Sequence, residues 1–242
     1  MKKQGVKKIL RIAGICALLL VWAAAAFILS QYATVYPLYW IFGKVWLNSS
    51  IGMFIYTLLS YVLAVILIIP VPYLINKKFK TSREELGLTG WPTWTDIGLA
   101  PIGYIAATIG ALGLVSVFSL FPWFNAAETQ EVGAQMMISG WDRALAFLRL
   151  VIIAPVIEEL VFRGWLYGKL RAKVAMPIAI LLVSVLFGIV HGQWNVGVNV
   201  FAMSIVLCGL REITGTIYAG ILMHMLKNAI ALAILIFFPG ML

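Results

Sequence analysis

Residues 51–75 read IGMFIYTLLSYVLAVILIIPVPYLI and contain no charged side chain. A helix needs about 20 consecutive apolar residues to cross the hydrocarbon core of a membrane, so this stretch is long enough to span it. Six further apolar segments lie at 9–35, 97–121, 143–169, 174–192, 196–212 and 214–238. The sequence therefore predicts an all-α, polytopic transmembrane bundle of about seven spans. Six or eight spans are the alternatives, because the last three segments lie close together.

The composition excludes a soluble domain. Hydrophobic residues make up 63% of the 242 positions and charged residues 11%, whereas a typical soluble domain is about 45–50% apolar and about 25% charged. The net charge is +9, and the basic residues stand in short loops, where they are expected to face anionic lipid. We therefore expect the lipid bilayer, and not nucleic acid, as a partner. Cys16 and Cys208 lie inside apolar segments and are interpreted as small core residues.

The distribution of basic residues predicts the orientation in the cell membrane. One side carries Lys2, Lys3, Lys7, Lys8, Arg11, Lys77, Lys78, Lys80, Arg83, Lys169, Arg171, Lys173 and Arg211. The opposite loops carry only Lys44 and Arg143. Because cytoplasmic loops are enriched in Lys and Arg, the N-terminus is predicted to be cytoplasmic. The stretch 76–96 is then a cytoplasmic loop, with a short helix that Ser82 is expected to cap.

Polar side chains within the spans are concentrated in the second half of the chain. A charge at the bilayer centre costs about 2.5–3.5 kcal/mol on insertion scales, so such residues indicate function. They are Arg149, Glu158, Glu159, Arg163, His191, His224, Lys227 and Asn228. We interpret 1–140 as N-terminal helices with a cytoplasmic loop and 141–242 as the core that carries the chemistry, both within one membrane domain.

The fourth span carries two adjacent glutamates. Glu159 and Arg163 are four residues apart, so they share a helix face and are expected to pair. Glu158 lies about 100° away around the helix, which leaves its carboxylate available to a cavity. A structural salt bridge is the alternative interpretation, but it does not account for Glu158. Pro155 has no N–H, so it frees a backbone carbonyl one turn earlier, which protein or water must satisfy.

The fifth and seventh spans carry both histidines of the chain. His191 follows Phe187 by one turn, and His224 and Asn228 share one face of the last span. Alternatively, His191 anchors a helix end and the His–Asn pair joins two helices by hydrogen bonds. At 1.5 Å per residue, Glu158 and these three polar side chains lie about 20–27 Å from the cytoplasmic loops, so they can meet in one layer.

This set of side chains suits the hydrolysis of an amide. A carboxylate and a neutral imidazole can hold and deprotonate water, and a second His with an Asn can donate N–H groups to an oxyanion. Zinc held by Glu158, His191 and His224 is the alternative. The sequence lacks HExxH, and Arg163 would oppose a dication near the carboxylates, so we predict no metal and no cofactor. Asn228 is also an unusual zinc ligand.

Three motifs resemble those of a known family. Residues 158–163 match EExxxR, residues 187–191 match FxxxH and residues 224–228 match HxxxN, in that order. This resembles the CPBP family of CAAX prenyl proteases and bacteriocin-processing enzymes, also called Abi proteins, over residues 140–230. The resemblance implies an intramembrane endopeptidase of the bacterial branch. Activity in the family is described both as metal-dependent and as metal-free glutamic catalysis, and we favour the glutamic type here.

The resemblance also implies roles for individual residues. It assigns water activation to Glu158 and His191 and the oxyanion to His224 and Asn228. The same resemblance gives supporting roles to Glu159, Arg163 and Phe187. It implies a peptide pheromone, a bacteriocin or a lipidated, CAAX-like protein as the substrate. A non-catalytic immunity or scaffold protein on the same fold would be expected to have a broken motif. A proton-coupled transporter would be expected to show internal repeats.

Overall fold

The chain is all-helical in the described residues of the computed structural model, which are 2–128, 137 and 139–238. The side chains of Lys2, Lys3 and Lys78, named above as basic loop residues, lie outside the described part. The α-helices are α1 Lys2–Leu47, α2 Ser50–Ile68, α3 Pro70–Ile75, α4 Arg83–Leu86, α5 Trp94–Phe118, α6 Gly140–Phe147, α7 Ala154–Glu159, α8 Tyr167–Arg171, α9 Met176–Ile189, α10 Trp194–Thr214 and α11 Tyr218–Phe237.

The fourth predicted span is one composite helix. Two π-helical segments, Leu148–Ile153 and Leu160–Leu166, connect α6, α7 and α8, and the backbone keeps right-handed helical angles at every junction. We call residues 140–171 the glutamate helix. It is long enough to cross the bilayer at 1.5 Å per residue.

The other predicted spans correspond to long apolar helices. Among the described residues, five helical stretches are long and apolar enough to cross a membrane: Gly5–Leu47, Ser50–Ile75, Trp94–Phe118, Trp194–Thr214 and Tyr218–Phe237. The fifth predicted span is the shorter apolar helix α9. The prediction of a polytopic helical bundle is confirmed, and its seven segments each contain a helix.

The bundle is apolar on its outer surface and polar in parts of its interior. Glu159 and Arg163 are fully buried, whereas Ile105 and Ile109 on α5 are 58% and 66% exposed. In a soluble protein this exposure would be unfavourable, but a lipid environment removes the apolar surface from water. The described surface therefore fits a membrane-embedded chain.

The glutamate helix occupies a central position. It contacts α1, α2, α9, α10 and α11. The hairpin between α1 and α2 is tight, because a Cβ at Gly52 would lie 2.1 Å from the Trp46 carbonyl oxygen. This close approach brings α2 alongside α1 and against the glutamate helix.

The loop between α3 and α5, which the sequence predicts to be cytoplasmic, is bonded to one end of the bundle. Ser82 caps α4 as predicted: its hydroxyl accepts from the Glu85 N–H at 3.2 Å, and the Glu85 carboxylate accepts from the Ser82 N–H at 3.1 Å. Lys169 on the glutamate helix forms an ion pair with Glu85 at 3.1 Å. Arg211 on α10 donates to the Glu85 carbonyl at 3.1 Å. These contacts hold the loop against two helices of the bundle.

Candidate active site

The two adjacent glutamates have different surroundings. Glu159 is fully buried, and its Oε1 accepts hydrogen bonds from Arg163 Nη1 and from His224 Nδ1, both at 3.0 Å. Glu158 is 8% exposed and lies about 100° further around the helix. Glu159 is therefore bonded to Arg163, as the sequence spacing predicts, and to the His224 of the HxxxN motif, while Glu158 faces other groups.

His224 lies between the two carboxylates. Its Nδ1 binds Glu159, and its Nε2 is 3.9 Å from Glu158 Oε2. The approach of α11 depends on Gly220, one turn before His224, because a Cβ there would lie 3.1 Å from Glu159 Oε2. A larger residue at position 220 would require Glu159 or α11 to shift by a few tenths of an ångström.

Glu158 has a further partner that the sequence analysis missed. The Tyr61 hydroxyl, on α2, donates to Glu158 Oε1 at 2.5 Å. The two residues are 97 positions apart. No sequence signal distinguishes Tyr61 from the other tyrosines in the apolar segments, so only the helix packing reveals this contact.

Asn228 binds the carbonyl that Pro155 leaves free. In the π-helical segment before Pro155, the Ala154 N–H bonds to the Arg149 carbonyl. The next N–H in this register would be that of Pro155, which has none. The Leu150 carbonyl instead accepts from Asn228 Nδ2 at 2.8 Å. The unsatisfied carbonyl expected from the sequence is thus satisfied by a side chain of α11.

Phe187 packs against Arg163, and His191 is bonded to the Phe187 backbone. His191 Nδ1 is 2.7 Å from the Phe187 carbonyl. A carbonyl can only accept, so Nδ1 is the donor, and Nε2 of the neutral ring is an acceptor. The Phe187 ring lies 4.8 Å from the His191 ring and 6.3 Å from the His224 ring, and the Arg163 guanidinium lies 4.2 Å above it.

The structure brings part of the predicted set into direct contact. Glu158, Glu159, Arg163 and His224 form one connected cluster, with Phe187 packed against it. The Phe187 ring contacts the His191 ring and lies 6.3 Å from the His224 ring, so the two histidines flank it. Within the described part of the chain, neither His191 nor Asn228 hydrogen-bonds to Glu158. Asn228 and His224 both face the glutamate helix. His224 bonds to the Glu159 carboxylate, whereas Asn228 bonds to the Leu150 backbone carbonyl.

An apolar cavity of about 200 Å³ lies between α2 and the glutamate helix. Tyr61 lines it together with the aliphatic side chains Leu58, Val62, Ile152, Ile153, Val156 and Ile157. The cavity therefore adjoins the residue that contacts Glu158, and its lining suits an apolar group.

The candidate zinc ligands Glu158, His191 and His224 do not form a ligand cluster. No three or more His, Cys, Asp and Glu side chains among the described residues are grouped closely enough to hold a metal ion. His224 also uses Nδ1 to bind Glu159. The absence of a metal requirement stays a prediction, which the chelation experiment below tests.

Comparisons with known proteins agree with the motifs. Residues 140–230 match a family model described as "Type II CAAX prenyl endopeptidase Rce1-like". A Bacillus subtilis (strain 168) protein described as "Putative membrane peptidase YdiL" is 34% identical over 77 residues, which cover 32% of this chain and 32% of that relative. The chain thus aligns with about a third of that relative's length. No solved structure matches.

The resemblance stated from the three motifs is thereby confirmed. Over residues 140–230, the chain is a match to the Rce1-like CAAX prenyl endopeptidase family. This segment includes all of the glutamate helix, α9 and α10, and α11 as far as two residues beyond Asn228.

Proposed function

We propose that this chain is a membrane-embedded endopeptidase that hydrolyses a peptide bond with water activated by Glu158 and His191. The observation that carries the proposal is that the two glutamates have different partners. Glu159 binds Arg163 and His224, whereas Glu158 accepts a hydrogen bond from Tyr61 at one oxygen and lies 3.9 Å from His224 Nε2 at the other. The Rce1-like match over residues 140–230 supports the same class of reaction.

In the proposed reaction, Glu158 accepts a proton from water while His191 Nε2 accepts a hydrogen bond from the same molecule. The water oxygen attacks the peptide carbonyl carbon and forms a tetrahedral oxyanion. The C–N bond then breaks, and the proton held by Glu158 passes to the leaving amine nitrogen. A positioned carboxylate acting in this way contributes about 10²–10⁴-fold to a rate.

The oxyanion is assigned to His224 and Asn228. Since His224 Nδ1 donates to Glu159, donation from Nε2 requires the doubly protonated ring. Asn228 has two N–H donors and uses one for the Leu150 carbonyl, so the second is available.

The proposed substrate is a peptide that reaches the site from the membrane. The apolar cavity beside Tyr61 suits an aliphatic or lipid-modified segment. A peptide pheromone, a bacteriocin precursor or a lipidated CAAX-like protein meets this description. In the proposed orientation the N-terminus and the loop with α4 are cytoplasmic, as the Lys and Arg distribution indicates.

The direct test is a cleavage assay with the purified protein in lipid nanodiscs. We would offer a farnesylated CAAX-type peptide, the same peptide without the lipid, and apolar leader peptides, and identify products by mass spectrometry. Cleavage by the wild type, with none by Glu158→Gln, is the expected result. If the wild type cleaves none of these peptides, the endopeptidase proposal is contradicted and an immunity or scaffold role is favoured.

We expect proteolysis to survive thorough chelation. Because Arg163 places a positive charge beside the carboxylates, a dication is not expected to bind there. The measurement is the cleavage rate before and after dialysis against a chelator, with the zinc content determined by mass spectrometry. Stoichiometric zinc, with activity lost on stripping and regained on its return, would overturn this expectation.

Asn228→Ala is expected to lower kcat about 10²–10³-fold, which is typical for the loss of one oxyanion donor. Asn199→Ala is the matched control, because the Asn199 side chain donates to the Asn195 carbonyl of its own helix at 2.9 Å. We expect the control to stay within a factor of two of the wild type. Equal cleavage rates for the two variants would contradict the assignment of Asn228 as an oxyanion donor. His224→Ala is expected to lose a similar factor.

A further inference from the structure

We infer that Tyr61 is a positioning residue for Glu158, an inference that rests on the proposed function. Its hydroxyl holds one oxygen of the carboxylate and thereby directs the other oxygen toward His224. Tyr61 lies outside the motifs and outside the segment that matches the family model.

The hydrogen bond defines how the Glu158 carboxylate is oriented. Glu158 Oε1 accepts from the Tyr61 hydroxyl at 2.5 Å, and Oε2 lies 3.9 Å from His224 Nε2. The Tyr61 hydroxyl thus donates the hydrogen bond that holds Oε1. Since the terminal torsion of a glutamate has a broad, shallow preference, the carboxylate plane would turn more freely without this bond.

The Tyr61 ring is itself held in place. Phe27 on α1 contacts it edge-on, with ring centroids 5.8 Å apart, and Phe27 also packs against Phe162 of the glutamate helix at 6.0 Å. Because α1 and the glutamate helix fix this aromatic contact, α2 presents the hydroxyl at a set position. The donor is thus preorganised before any substrate arrives, as a positioned catalytic group requires.

Tyr61 also connects the apolar cavity with the carboxylate. Its ring lines the cavity, while its hydroxyl binds Glu158. A substrate group in the cavity would therefore lie against the same side chain that orients the base. Removal of the hydroxyl leaves the ring and the cavity wall unchanged, so it should alter the chemical step more than substrate binding.

The experiment compares Tyr61→Phe with Tyr56→Phe. Tyr56 stands on the same helix, and its hydroxyl donates to Gln31 Oε1 on α1 at 2.5 Å, so each variant loses one hydrogen bond of equal length. With the peptide that the wild type cleaves, we expect Tyr61→Phe to lower kcat about 10- to 100-fold, the range for a hydrogen bond to a charged group. KM should stay within twofold. Tyr56→Phe should leave both constants within twofold of the wild type.

A thermal double-variant cycle checks the contact without any substrate. The effects of Tyr61→Phe and Glu158→Ala on the melting temperature in detergent should be non-additive, whereas those of Tyr56→Phe and Glu158→Ala should add. Additive effects for the first pair would overturn the inference, as would an unchanged kcat despite non-additivity. If the wild type cleaves no peptide while the cycle is non-additive, the proposed function fails, and the positioning role fails with it.

Discussion

Glu158→Gln is expected to lower kcat by as much as about 10⁴-fold, the upper range for loss of a positioned general base. The amide keeps the shape of the side chain and still accepts from Tyr61, so the fold should be retained. The measurement is the cleavage rate of purified variant and wild type at equal concentration, with the melting temperature as the check on folding. We expect the melting temperature to change by only a few degrees.

The matched control is the neighbouring substitution, Glu159→Gln. Glu159 is fully buried and carries the charge opposite Arg163, so this variant leaves a buried cation without its counter-charge. Its main effect should be low thermal stability and poor accumulation. The reverse pattern, a stable and inactive Glu159→Gln beside an active Glu158→Gln, would transfer the role of the base to Glu159.

Arg163→Ala should cost about 3–5 kcal/mol of stability, as is typical when one partner of a buried ion pair is removed. The guanidinium is fully buried, binds Glu159 at 3.0 Å and lies over the Phe187 ring. Its loss removes the charge that balances Glu159 and creates a cavity beside the aromatic ring. The measurement is the free energy of unfolding in a titration with a denaturing detergent.

Arg171→Ala provides the comparison for a surface pair. Arg171 binds Glu212 at 3.0 Å, and their side chains are 44% and 28% exposed. Replacing Arg171 by Ala should therefore lower the free energy of unfolding by about 1 kcal/mol or less. Both Arg variants should also be assayed for cleavage. If Arg163→Ala proves fully stable but inactive, Arg163 would act in direct substrate binding rather than in support of Glu159.

Local sequence patterns were enough to predict the helices and the pair on the fourth span. Apolar length predicted the spanning segments, and the spacing of four residues predicted the contact between Glu159 and Arg163. The π-helical segments that divide the fourth span were not predicted, because a shift from i−4 to i−5 bonding leaves no reliable trace in side-chain periodicity. Pro155 did predict a free carbonyl, but it could not identify the partner.

Side-chain contacts between helices could not be predicted from the sequence, because they depend on how each helix is rotated about its axis. Tyr56 and Tyr61 belong to the same apolar segment, yet the first binds Gln31 and the second binds Glu158. The position of α2 against the glutamate helix decides between them. Gly220 is a similar case, since its role follows only from the distance between α11 and Glu159.

The bond between Asn228 and the Leu150 carbonyl has a consequence for biosynthesis. The acceptor precedes the donor by 78 residues, so a ribosome completes the glutamate helix well before it makes α11. Until then, the Leu150 carbonyl and the Glu159–Arg163 pair lack the partners that α11 supplies, and each such group is unfavourable in hydrocarbon. We therefore expect the nascent chain to keep this helix near water or a membrane insertase until α11 emerges. Arrival of α11 supplies both partners, Asn228 for the Leu150 carbonyl and His224 for Glu159.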